Sequence, residues 1–351
     1  MIGEFAVGAL VAFVVSVAAC SVLLRAGPID RPNQAHKRHL DPTPTSGGLG
    51  MGLGFAVGLL TNAQISDQWR VIIEIIGPRL LAPAALFALC FLFLGFLDDN
   101  KAMGPRLKLL LFAALSFSAS ASVGVVDLLP LGFGVSLEMP YFIGLIGTAM
   151  WVFTMVNCVN FMDGSNGLAI GSVAIGLIAL AAIAQANGTL SGVAIGLCGA
   201  GAMLGFLMWN FPTAKLFAGD AGALFAGAVA ALGSLIVIQR AGISPFIPPL
   251  IFLPLLADAL LTLAWRLRRR RSLLDGHSEH LYQIALRARW SHARIAYTYW
   301  TATALCGLFA FAAANAAPPW AWLALALASL AAVLVSATVR QYALIKGIAE
   351  V

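Results

Sequence analysis

Eleven apolar stretches, most about 20 residues long, follow one another along this chain and decide its fold class. They lie near 5–24, 47–62, 79–97, 107–126, 141–159, 168–186, 192–210, 222–239, 246–265, 297–316 and 320–338. A run of that length crosses the hydrocarbon core of a bilayer as an α-helix, which satisfies every backbone polar group within itself. Composition agrees, because 60% of the 351 residues are apolar and only 10% are charged, against roughly 25% charged in soluble domains. The expectation is an all-α polytopic membrane protein of about 11 transmembrane helices, a single domain over residues 1–351. The second run is short and Gly-rich, and the stretch 63–78, with Trp69 and Glu74, suits the membrane interface. The first run ends near Val17-Ala18-Ala19-Cys20, loosely like a lipoprotein cleavage box. No Lys or Arg precedes it, so it reads as a retained span.

The charges sort the loops. Eighteen of the 21 basic residues fall in alternate loops: Arg25 to Arg38, Lys101 to Lys108, Lys215, Arg266 to Arg294, and the tail with Arg340 and Lys346. Only Arg70, Arg79 and Arg240 fall on the other side. The positive-inside rule makes the rich side cytoplasmic, with the N-terminus outside and the C-terminus inside. Asp98, Asp99, Asp163, Asp220 and all five histidines belong to that same edge, while the outer loops are short and plain. An excess of 21 basic over 15 acidic residues is too small to point to nucleic acid. The five cysteines stand singly in or beside apolar runs, with no CxxC spacing, so they predict neither a disulfide framework nor a zinc site.

Five polar segments interrupt the apolar pattern. In Gly95-Phe96-Leu97-Asp98-Asp99-Asn100 a span ends in two adjacent carboxylates. Acids are disfavoured at a helix C-terminus, so the pair calls for a cation or a shifted pKa. In the segment 157–167, Asn157, Asn160 and Asp163 recur at i, i+3 and i+6, and glycines follow that allow backbone to approach a ligand. In 209–222, Asp220 stands between glycines where a span begins, as either an N-cap or a ligand group, and Lys215 nearby suits a phosphate. In Asp275 to Gln283, His277 and His280 share a face if the piece is helical, after the run Arg268 to Arg271. That run is a topology anchor or a site for anionic lipid headgroups. The first loop runs from Asp30-Arg31-Pro32-Asn33 through Lys37-Arg38-His39 to Gly47-Gly48, and can grip phosphate or simply mark topology.

Taken in order and on one face, these segments resemble the polyprenyl-phosphate N-acetylhexosamine-1-phosphate transferases, over about Asp30 to Gln283. Asp98-Asp99 is similar to that family's paired aspartates, and Asn157/Asn160/Asp163-Gly164 to its Asn-rich DG segment. Asn210 through Asp220 resembles its stretch ending in GDxGS, the 277–283 segment its histidine loop, and Asp258 its carboxylate before the basic pair. The loop reads HxxHxYQ, not the HHH of the peptidoglycan enzyme, which places the O-antigen-initiating bacterial branch nearest. Three positions depart from the pattern: Asn166 stands for the second acid of DGxDG, Ala223 ends GDxGS, and position 45 is Thr where many relatives have Arg.

The resemblance implies transfer of a sugar-1-phosphate from a UDP-N-acetylhexosamine to undecaprenyl phosphate, with release of UMP, at the cytoplasmic face of the bacterial inner membrane. It implies Mg²⁺, with Mn²⁺ as substitute, on Asp99 and Asp220, and Asp98 beside the lipid phosphate. Asn157, Asn160, Asp163 and Asn166 are then expected at the nucleotide, and Lys215, Arg38, His277 and His280 at phosphates or sugar. Direct displacement and a covalent aspartyl intermediate both remain open. Rivals from other classes are a flippase for lipid-linked sugars and a non-catalytic assembly protein with a decayed site. Small-xxx-small patterns among the 35 glycines suit a homodimer or packing within one bundle equally well.

Overall fold

A computed structural model describes residues 2–26, 29–30, 43–65, 80–273 and 275–348. The helices are α1 (Ile2–Ala26), α2 (Gly47–Ile65), α3 (Ala82–Asn100), α4 (Pro105–Val123), α5 (Tyr141–Met162), α6 (Leu168–Ala186), α7 (Leu190–Asn210) and α8 (Gly219–Ala241). They continue as α9 (Ile247–Ile251), α10 (Leu253–Arg268), α11 (Leu281–Arg287), α12 (His292–Ala314) and α13 (Pro319–Ile345). Two short antiparallel pairs are the only strands among the described residues: β1 (Ile29–Asp30) with β2 (Thr43–Pro44), and β3 (Leu128–Gly132) with β4 (Val135–Glu138).

Ten of these helices are each long and apolar enough to cross a membrane, and the chain is a multi-pass membrane protein. The run expected at 246–265 is not one helix. It is broken at Phe252 into α9 and α10, because Pro248, Pro249 and Pro254 lack the N–H that a continuous ladder needs. The interfacial stretch 63–78 falls mostly outside the described residues.

The core is a bundle in which α8 is the most enclosed spanning helix and α13 the least. α8 packs on α3 and α5, α1 on α2 and α7, and α6 on α7 and α12. Lipid is as apolar as leucine, so these crossings are stabilised by close van der Waals contact rather than by hydrophobic exclusion. A Cβ on Gly201 of α7 would stand 2.3 Å from the Ala9 carbonyl of α1. At the end opposite the aspartates, Trp322 Nε1 of α13 donates to Leu131 O of the β3–β4 hairpin at 2.8 Å.

Chain reversal at every span brings the C-terminal ends of α3, α5, α7, α10 and α13 together with the N-terminal starts of α2, α4, α6, α8 and α12. Hydrogen bonds bind several of these ends directly: Asp99 to Asp220, Gly167 to Asn210, Ser165 to His292, and Arg340 to Glu279. The polar segments therefore meet at one end of the bundle.

Candidate active site

The paired aspartates end α3, and they do different things. Asp99 turns toward the start of α8, where Oδ1 accepts from Asp220 N at 2.9 Å and Oδ2 from Ala221 N at 3.1 Å. A carboxylate on the open N–H groups of a helix start meets the positive end of its dipole. That helix start therefore has an anionic cap supplied by another helix. Asp220 itself sits in the first turn and makes no side-chain cap, so its side chain is left for other work.

Close approach requires glycine here. Gly219 has φ +69°, and a Cβ on it would stand 2.5 Å from Asp99 Oδ2. Gly48, at the start of α2, would press a Cβ to 2.3 Å from Gly222 N. Gly47 N and Gly48 N donate to Phe217 O and Ala218 O, each at 3.0 Å. The Gly47-Gly48 pair thus lets two helix starts touch, while residues 31–42 of the first loop, Arg38 among them, lie outside the described residues.

Asp98 accepts from Met103 N at 2.7 Å and from Lys108 Nζ at 2.6 Å. The same ammonium pairs with Asp220 Oδ2. Lys108, one turn into α4, joins this carboxylate cluster although the sequence pattern marks it only as a topology charge. Its partner Asp220 is 112 residues away, and no local spacing signals that.

Asp163 is the C-cap residue of α5, directly after the helix that carries Asn157 and Asn160, and its N–H donates to Asn160 O. Burial first, then the like charges of Asp220 and Asp99, push its carboxyl well above the usual range. Asn157 donates to Phe153 O of its own helix at 2.7 Å. The turn after Asp163 is pinned from three sides. Asn210 Oδ1 accepts from Gly167 N at 2.7 Å, Trp300 Nε1 donates to Gly167 O at 2.9 Å, and His292 Nδ1 lies 2.9 Å from Ser165 Oγ. Asn166 Nδ2 donates to Pro212 O at 3.2 Å. Lys215 stands exposed on the loop before α8 and does not join the carboxylates.

The histidine loop is not helical at 277–280, contrary to the shared helical face considered above; α11 begins only at Leu281. The two rings still meet, with centroids 5.0 Å apart. His280 is buried against Phe161 and Tyr282. Asp258 clamps this loop. It accepts from Leu281 N at 2.8 Å, Tyr282 N at 3.2 Å and Tyr299 Oη at 2.5 Å, and lies 3.5 Å from His280 Nδ1. Tyr282 Oη in turn donates to Phe161 O at 3.1 Å, beside Asp163. For His277, burial and the neighbouring His280 and Arg266 hold the imidazole pKa down at about 4.

Among the described residues, no three of His, Cys, Asp and Glu converge as a ready-made metal cage. Mg²⁺ does not need one, since it is commonly held by one or two carboxylates together with substrate phosphates. Asp98, Asp99 and Asp220 supply hard oxygen donors, and the Lys108 bridge puts two of them on one positive charge. The donor set fits Mg²⁺ or Mn²⁺.

Residues 81–238 match the model of glycosyl transferase family 4. The chain is 25% identical over 305 residues to a probable undecaprenyl-phosphate N-acetylglucosaminyl 1-phosphate transferase of Bacillus subtilis, covering 83% of this chain and 81% of the relative. It is 30% identical to a decaprenyl-phosphate N-acetylglucosaminephosphotransferase of Mycobacterium tuberculosis, with 79% and 73% covered. It is 31% identical to a phospho-N-acetylmuramoyl-pentapeptide-transferase of Pelotomaculum thermopropionicum, with 84% and 94% covered.

Proposed function

The chain belongs to glycosyl transferase family 4, the polyprenyl-phosphate N-acetylhexosamine-1-phosphate transferases, and on that premise we propose that it moves an N-acetylhexosamine-1-phosphate from a UDP-sugar to undecaprenyl phosphate. UMP leaves, and the product is a polyprenyl diphosphate sugar. The observation that carries this reading is the set Asp98, Asp99, Lys108 and Asp220, joined at the ends of α3, α4 and α8.

Both substrates are anions, so their repulsion is the main obstacle. An oxygen of the lipid phosphate attacks the sugar-side phosphorus while the bond from that phosphorus to the bridging oxygen breaks, and the electron pair departs with UMP. A phosphomonoester has its second pKa near 6, so the nucleophile is already largely dianionic at neutral pH and needs little help from a base. Catalysis is then chiefly charge stabilisation and positioning. Asp99 and Asp220 would hold Mg²⁺, which would supply neutralisation of the donor diphosphate. Lys108 places its ammonium beside the reacting phosphates, and Asp98 orients that ammonium. The turn 163–167, pinned by Asn210, Trp300 and His292, presents backbone and amide groups to the nucleotide, with Asn157 and Asn160 behind it. His280, steadied by Asp258, and His277 face the sugar or its phosphate.

We place this face in the cytoplasm of a bacterial inner membrane, supported by its 18 of 21 basic residues. The HLYQ ending of the histidine loop supports a role at the first membrane step of O-antigen or another envelope polysaccharide. The test is UMP release from purified protein, Mg²⁺, undecaprenyl phosphate and a panel of UDP-sugars. Release with one sugar supports the reading, and no release with any sugar overturns it. UMP exchange into the UDP-sugar without lipid would establish the covalent route.

A further inference from the structure

One of the basic residues that mark the cytoplasmic side is not on the surface. Arg340 lies within α13 and is only 8% exposed, although α13 is the least enclosed of the described spans. An arginine turned inward from a membrane helix is unfavourable unless its donors are satisfied and its charge is met. Both conditions hold. Nε donates to Ser336 Oγ of its own helix at 3.4 Å, Nη1 to Glu279 O at 3.1 Å and Nη2 to Thr262 Oγ1 at 2.6 Å. The carboxylates of Asp258 and Glu279 act on its charge, and Glu279 is paired with Arg266 and Arg271 as well. A charge that served topology alone would reach out to the headgroups instead.

The contact with Thr262 has a direction. Thr262 is fully buried on α10, one turn after Asp258. Its hydroxyl carries a single proton. With Arg340 donating to the oxygen, that proton goes to Asp258 Oδ1, 3.2 Å away. A threonine in a helix otherwise turns its proton to a backbone carbonyl one turn back. Arg340 thus keeps Thr262 on the carboxylate. The same Oδ1 accepts from Leu281 N at 2.8 Å and lies 3.5 Å from His280 Nδ1. The guanidinium also holds the loop a second time, through Glu279 O, the carbonyl of the peptide group that joins Glu279 to His280. Two routes, one through Asp258 and one through that peptide, therefore run from α13 to one imidazole.

We infer that Arg340 is a positioning residue, which sets His280 through Thr262, Asp258 and the Glu279 peptide group. This rests on the reading that His280 faces the donor sugar or its phosphate. The last spanning helix then completes the site without touching substrate.

Histidine-selective ¹⁵N labelling of the full chain tests the geometry without relying on transfer. There are five histidines, and the His280 ring signals are those lost in His280→Gln. Thr262→Val and Arg340→Gln should each shift them. Thr262→Val exchanges a hydroxyl for a methyl, so the test stands even if Arg340→Gln fails to fold. Ring signals that stay in place in Thr262→Val overturn the proposal. In the transfer assay, Arg340→Gln should raise KM for the UDP-sugar about tenfold, the effect of losing one hydrogen bond to a charged group, and leave KM for undecaprenyl phosphate unchanged. The same substitution in a His280→Gln background should cost nothing further. A fall in kcat with both KM values kept, or an undiminished loss in the His280→Gln background, shows a role in packing alone and also overturns the proposal. If the wild type releases no UMP, the transferase reading falls, while the ring signals still decide whether Arg340 sets His280.

Discussion

Asp99→Asn separates two jobs that one carboxylate performs in this site. Asp99 caps the start of α8 with both oxygens, on Asp220 N at 2.9 Å and Ala221 N at 3.1 Å. Hydrogen bonds to a charged acceptor contribute about 1.5–3 kcal/mol each, and a buried donor left without a partner costs about 1–3 kcal/mol. Asparagine keeps one acceptor oxygen but turns an NH₂ toward the other backbone N–H. Losing a charged anion at a helix start removes about 0.3–1 kcal/mol more. Relief of repulsion among Asp98, Asp99 and Asp220 works the other way, by about 1 kcal/mol for a pair in a partly wet site. The net expectation is a loss of about 2–4 kcal/mol. Asp220→Asn differs, because among the described residues no backbone N–H rests on that carboxylate. It forfeits a partly exposed ion pair with Lys108, at about 1 kcal/mol or less. Thermal unfolding in detergent should therefore show Asp99→Asn melting several degrees below Asp220→Asn, while both abolish UMP release. Equal melting temperatures would refute the capping geometry. A destabilised Asp99→Asn that still turns over near the normal rate would show a cap and nothing more, and would remove Asp99 from the metal site.

Three further outcomes follow from the same geometry. Lys108→Gln should lower turnover by about 10²–10³, the usual effect of losing one preorganised charge-stabilising donor, and an effect under tenfold would assign the ammonium a structural role only. Chelation of divalent cations should stop UMP release and added Mg²⁺ restore it; release that persists after chelation counts against the carboxylate assignment. The depressed pKa of His277, about 4 against an ordinary 6.5, means that the unfolded chain binds a proton the folded chain refuses. Stability should thus fall as pH drops from 6.5 toward 4, and His277→Gln should flatten that part of the profile in a pH series of unfolding midpoints.

The spans were legible because a membrane helix declares itself in one dimension, by length and by lack of charge. The one expected run that is not a single helix, 246–265, carried its warning in Pro248, Pro249 and Pro254. Asp98, Asp99 and Asp220 were legible for a related reason, since a carboxylate at the edge of an apolar run needs an explanation that a soluble surface never demands. What stayed hidden is what depends on two segments meeting. Lys108 looks like one more topology charge until α8 brings Asp220 to it. His292 reads as a loop residue until it lies 2.9 Å from Ser165 Oγ. Asp258, seen only as a carboxylate before a basic run, turns out to clamp the histidine loop from inside the bundle.

Asn166 bears on whether the site is worn down. At the sequence level it is a lost carboxylate, one charge fewer where the family pattern has an acid. In the fold its Nδ2 donates to Pro212 O at 3.2 Å, tying the turn after Asp163 to the loop that leads into α8. An aspartate there would set two acceptors against a carbonyl oxygen and repel it. Its backbone N–H also donates to His292 Nδ1 at 3.3 Å, which ties the turn to the start of α12. A site in decay loses contacts one by one, whereas this residue makes a contact that a carboxylate cannot make. Asn166→Asp is therefore expected to lower both the melting temperature and the rate of UMP release. A variant that gained activity would show the amide to be a defect after all.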